Sequence, residues 1–95
     1  MSYLTVALVE FIGTFIFLSV ILQAADHGAL AVAVALLAVI YFGVRYSNAH
    51  YNPVVSIVEY SSGKIGMELL AVYIIAQILG GLGAVEFQKF LKANK

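Results

Sequence analysis

The stretch SNAHYNPVVS, residues 47–56, sets the polar Ser47, Asn48, His50 and Asn52 beside Pro53, the one proline of the chain. Asn and Pro favour turns that face water, yet the sequence on either side is almost wholly apolar. Downstream, VVSIVEY (54–60) keeps an apolar periodicity for about two helical turns, some 10–12 Å at 1.5 Å per residue. That is too short to cross a bilayer and too apolar for an ordinary loop. Proline suits the first turn of a helix, where its missing N–H costs nothing. Asn52, just before it, is placed to cap that helix with its side chain. The pattern predicts a re-entrant loop and half-helix over about 47–61, beginning within the membrane at Asn52–Pro53 and returning to the surface near SSGK (61–64). Non-helical backbone at such depth is tolerated only when buried in protein or lining a watery cavity. A helix lying flat among the lipid headgroups is the other reading.

The rest of the chain sets the membrane context. Its 95 residues are 63% hydrophobic and 11% charged, too apolar for the surface of a small soluble domain. About 20 helical residues cover roughly 30 Å of hydrocarbon, and three segments reach that length. The first span is expected over about 3–25, the second over 29–46 and the third over 66–91. AVAVALLAV (31–39) alternates like a strand, but both residue types are apolar, so length decides for helix. ADHG (25–28) reads as a short polar turn holding His27. The apolar FIGTFIFLSVILQAAD has no basic residue before it and is long for a signal peptide, so it is expected to remain as a span. The whole chain, 1–95, is then a single multi-pass membrane domain of the all-α class. Which membrane holds it is not legible.

Composition also narrows the functions. A net charge of zero offers no footprint for nucleic acid. With no cysteine there is no disulfide frame or thiol nucleophile, and two histidines far apart make no metal set. No nucleophile–base pair is apparent. Neither an enzyme nor a cofactor or metal is expected.

Three motifs carry a resemblance. SNAHYNPVVS is similar to S-G-A-H-x-N-P-A-V-T of the aquaporin/glycerol-facilitator family. VEFIGTF (9–15) resembles the family's first-helix motif A-E-F-x-G-T, and YIIAQILGG (73–81) its third-helix motif Y-x-x-A-Q-x-x-G. They fall in family order and at family spacing, so the resemblance spans nearly the whole chain. It implies three transmembrane helices and one re-entrant half-helix, one of the two inverted repeats that family members carry. It further implies a passive channel for water and small neutral solutes such as glycerol or ammonia. Half a pore cannot surround a permeant, so a second half has to come from a partner.

The charges point to that partner. With three spans, Arg45 and Lys64 fall on one side of the membrane and Lys89, Lys92 and Lys95 on the other. Two against three is a poor orientation signal, so the chain is expected to insert both ways. Two copies in opposite orientation rebuild an inverted repeat. An antiparallel homodimer is therefore expected, by family analogy within a tetramer of such pairs; a separate second-half chain is the competing partner. Two other functions stay open. One is a non-conducting half-channel that modulates a full-length relative; the other is a small dual-topology transporter coupled to protons through Glu10.

The resemblance also assigns residues. Asn52, Pro53, Val54, His50, Ala49 and Asn48 are the motif that lines the pore, with the 48–51 backbone extended and its carbonyls offered as acceptors. The Asn52 amide would donate to a passing molecule, and two facing helix N-termini, each carrying about half a positive charge, would repel cations. Val54 stands where the family has alanine. Asn48 replaces glycine, a mild change because Asn tolerates a left-handed backbone. His50 reads as an organiser of the loop. Glu10, about 10 Å into the first span, needs a partner, and the resemblance supplies the loop; Gln77 is a second loop support. Val32, Ala49 and Val55 fall at the narrow-filter positions and make an apolar filter without a fixed cation. Gly13, Ala76, Gly80 and Ala84 are small surfaces for close helix contact.

Overall fold

The computed structural model describes residues 2–24 and 28–95. Among these the chain is all helical, with no strand: α1 spans Tyr3–Ala24, α2 Ala29–Ser47, α3 Pro53–Ser61 and α4 Met67–Ala93. Three of the four, α1, α2 and α4, are long and apolar enough to cross a membrane. The expected turn at 25–27, with His27, lies outside the described residues. The second span runs one residue further than expected and the third two, because their polar ends are held by hydrogen bonds. Asn48 N–H donates to the Val44 carbonyl at 3.1 Å, and Asn94 N–H to that of Phe90 at 3.1 Å.

Helix α1 is the centre of the bundle, packed between α2 and α4, with α3 lying on α4. Two bonds fix the register of α1 against α4. Near the start of both helices, the Tyr3 hydroxyl donates to Glu68 Oε2 at 3.1 Å. Near their far ends, Gln88 Nε2 donates to the Leu22 carbonyl at 3.0 Å. The two helices therefore run parallel. Their close approach follows from small side chains one turn apart: Ala76, Gly80 and Ala84 are buried on one face of α4. A methyl on Gly80 would lie 2.6 Å from the Phe11 carbonyl oxygen, a backbone atom with little room to move. Phe15 and Phe87 close the same seam with ring centroids 5.5 Å apart.

Helix α2 runs against α1 in the opposite sense and ends at Ser47 beside Glu10. From there the chain turns inward at His50 and Tyr51, which are buried, with Asn48 and Asn52 exposed on either side. The side chain of Tyr51 rests against Gly13, the eleventh residue of the 22-residue α1 and thus about halfway along it. Pro53 opens α3, and the Asn52 side chain accepts a bond from Val54 N–H at 2.8 Å. Nine residues later α3 stops at a glycine turn: Gly63 has φ 82°, its N–H donates to the Tyr60 carbonyl, and Lys64 N–H donates to that of Glu59, both at 3.0 Å. That paired closure satisfies the last carbonyls of the helix and needs the left-handed backbone glycine accepts most readily. The turn leads into α4 at the end of the bundle where α1 also starts.

Burial is the reverse of a soluble domain. Glu10, Thr14, Ser47, His50, Ser56 and Gln77 are buried, whereas Leu4, Leu8, Leu30, Leu37, Phe42 and Leu82 lie outside. Such an exterior requires lipid or further helices around it.

Candidate functional site

Glu10 is fully buried and gathers the interior polar groups. Its Oε2 accepts from Ser47 Oγ at 2.7 Å and from His50 N–H at 3.0 Å. Its Oε1 accepts from Tyr51 N–H at 2.7 Å and from Gln77 Nε2 at 3.0 Å. All four partners donate, the complement a buried carboxylate needs. Two of the donors are loop amides that would otherwise be orphaned between α2 and α3. Glu10 thus stands in for the missing backbone partners of residues 50 and 51.

A second layer holds the first. Gln77 Nε2 also donates to Ser56 Oγ at 3.0 Å, which spends both amide hydrogens and leaves Gln77 Oε1 without a partner. Turning that amide over would set an acceptor against the carboxylate, so Glu10 fixes its direction. Ser56 Oγ lies 2.8 Å from His50 Nδ1. Ser56 Oγ can accept from both Gln77 and the imidazole or give its own hydrogen to Nδ1, so the His50 tautomer decides which way this bond runs. The imidazole stacks on Tyr73 with centroids 3.9 Å apart, and the Tyr73 hydroxyl donates to the Ser47 carbonyl.

Tyr51 ties the loop to both long helices. Its ring lies in a slot between Gly13 and Gly43, where a Cβ would come within 2.1 Å of the ring at Gly13 and 1.8 Å of the hydroxyl at Gly43. Its hydroxyl donates to the Val39 carbonyl at 2.6 Å. Gly13 therefore makes room for an aromatic ring from the loop.

The 48–51 backbone also departs from the extended run expected of it. Asn48, Ala49 and Tyr51 have φ of 64°, 53° and 54°. These left-handed turns swing the amides of His50 and Tyr51 inward onto Glu10. For Ala49 and Tyr51 such a conformation is costly, and the buried hydrogen bonds offset it.

Asn52 and Val54 lie on the outside at the start of α3, with Val54 64% and Val58 58% exposed. The three filter positions do not form one site within a single chain. Val32 lines an apolar groove with Ile21, Ala24, Gly28, Ala29, Ala33 and Leu36. It lies about 22 Å along α2 from Ser47, whereas Ala49 is in the loop and Val55 on α3. On the other side of the loop, Asn48, His50, Glu59, Lys64 and Ile65 enclose a polar cavity of about 330 Å³. No group of three or more His, Cys, Asp or Glu among the described residues could hold a metal ion.

Sequence reasoning found Glu10, His50, Asn52 and Gln77 but missed Ser47, Tyr51, Ser56 and Tyr73. A signal was present for Tyr73, four residues before Gln77 and so on the same helix face. Ser47 and Ser56 bracket the loop stretch itself. Comparison with family models, with curated proteins and with solved structures finds no match to this chain.

Proposed function

We propose that this chain is half of a passive channel for water and small neutral solutes, completed by a second copy in the opposite orientation. The observation that carries the reading is the position of the loop. Tyr51 packs against the middle of α1, and the next residue, Asn52, opens an exposed helix of nine residues. If α1 crosses the bilayer, α3 begins near its midplane and is a re-entrant half-helix. A polar Asn52 tip cannot face hydrocarbon there and needs protein or a water-lined path beside it. One chain leaves that tip and the apolar flank of Val54, Val55 and Val58 uncovered.

A second copy supplies the cover. A two-fold pair brings the same patch from both chains to one axis, so an axis at the tips sets Asn52 against Asn52 and Val54 against Val54. The weak charge bias between the two ends supports insertion in both orientations. The three sequence motifs resemble those of the aquaporin/glycerol-facilitator family, and the Glu10 and Gln77 contacts to the loop support that likeness. The transporter reading needs Glu10 in a watery cavity; in the single chain all four of its partners are protein groups.

Osmotic swelling of vesicles carrying the purified chain tests this function. The channel reading expects faster water flux than in empty vesicles, with glycerol or ammonia passing too, because Val32, Ala49 and Val55 offer no fixed cation or polar filter. No flux from the chain alone would favour the non-conducting half-channel. Fast water flux with both solutes excluded would refute the apolar filter.

A further inference from the structure

The expected filter carries no cation, but Lys64 lines a polar cavity beside the loop. The polar cavity of Asn48, His50, Glu59, Lys64 and Ile65 lies between the loop and the turn that joins α3 to α4. His50, 8% exposed, is its most deeply buried lining residue. With Nδ1 committed to Ser56, the imidazole has only Nε2 left for the cavity. Near the surface, Lys64 Nζ lies 3.7 Å from Glu59 Oε2, with the lysine side chain 70% and the glutamate 28% exposed. Glu59 and Lys64 are the two charged lining residues.

Their setting is unequal. Asn48 directly follows α2, and Glu59 is in the last turn of α3, so two helix carboxyl ends meet this cavity. Each carries a partial negative charge, and Glu59 adds a full one. Without Lys64 the cavity would collect cations. The lysine is placed by the backbone, since its own N–H closes the glycine turn onto the Glu59 carbonyl at 3.0 Å.

We infer that Lys64 is a specificity-determining residue that keeps the vestibule above His50 closed to cations, acting as the tethered counter-ion of Glu59 and of the two helix ends. The consequence for permeation rests on the channel reading: an antiparallel pair would carry one such lysine at each mouth. The charge of the vestibule can be measured whether or not the chain conducts.

The sequence has no cysteine, so Ile65→Cys provides a single reporter thiol inside the cavity, with Asn48→Cys as a second reporter should the first fold poorly. The measurement is the ratio of modification rates by a cationic and an anionic thiosulfonate reagent of similar size. Lys64→Gln is expected to raise the cation-to-anion ratio by about tenfold at low salt, the scale of one unscreened charge at short range. Glu59→Gln is expected to lower it. The double variant Glu59→Gln/Lys64→Gln should return toward the parent, because the pair is removed together. A ratio unmoved by Lys64→Gln at both reporters would overturn the inference. Absence of water flux in the parent vesicles would overturn the channel reading alone.

Discussion

Glu10 Oε1 lies 2.7 Å from the backbone nitrogen of Tyr51, 41 residues away in the chain. One carboxylate on α1 thereby sets the position of the loop that opens α3. Glu10→Gln replaces an all-acceptor group by one with a donating end. That end best takes the place of Oε2, where the Ser47 hydroxyl can turn to accept and the His50 N–H is left unpaired. A buried orphan costs about 1–3 kcal/mol, so we expect a loss of that order in detergent-solubilised protein. Thermal unfolding measures the total, and proteolysis near residues 48–52 shows whether the loop is released first.

Tyr51 and Gly13 are expected to be energetically coupled. Gly13→Ala puts a methyl into the space of the ring, so the ring must leave its slot or α1 must move from α2. A double-mutant cycle with Tyr51→Ala should give an interaction of about 1–3 kcal/mol. The alanine at position 13 should cost much less once the ring is gone. Additive effects would mean that the ring and the glycine do not share that space.

Much of the architecture was legible, for identifiable reasons. Span lengths follow from the hydrocarbon thickness, and Asn52–Pro53 announces a helix start through capping chemistry that is local in sequence. The contact of Glu10 with the loop was reached by motif resemblance, and the cost of a carboxylate in a span gave it a physical reason. The Tyr51 slot was not legible, because it depends on the register that places Gly13 opposite Gly43. Nor was the left-handed backbone at Ala49 and Tyr51, since nothing in an alanine or a tyrosine announces positive φ. Ser47, Ser56 and Tyr73 look like ordinary polar residues until the helices bring them around one carboxylate. Lys64 was counted only as a charge on one side of the membrane, because its cavity exists only once α3 has turned back.

The proposed channel needs two copies to meet at the start of α3 in opposite orientations. It is tested most directly by oxidising Val54→Cys in sealed vesicles, since a disulfide needs Cβ atoms about 3.8 Å apart. Each chain carries an N-terminal tag that an external protease can remove. Leu37→Cys, exposed on α2, serves as the control for chance collision. A cross-linked dimer is expected at position 54 but not at 37, with one of its two tags cleaved and the other protected. Dimers that lose both tags or neither, or equal cross-linking at the two positions, would contradict it.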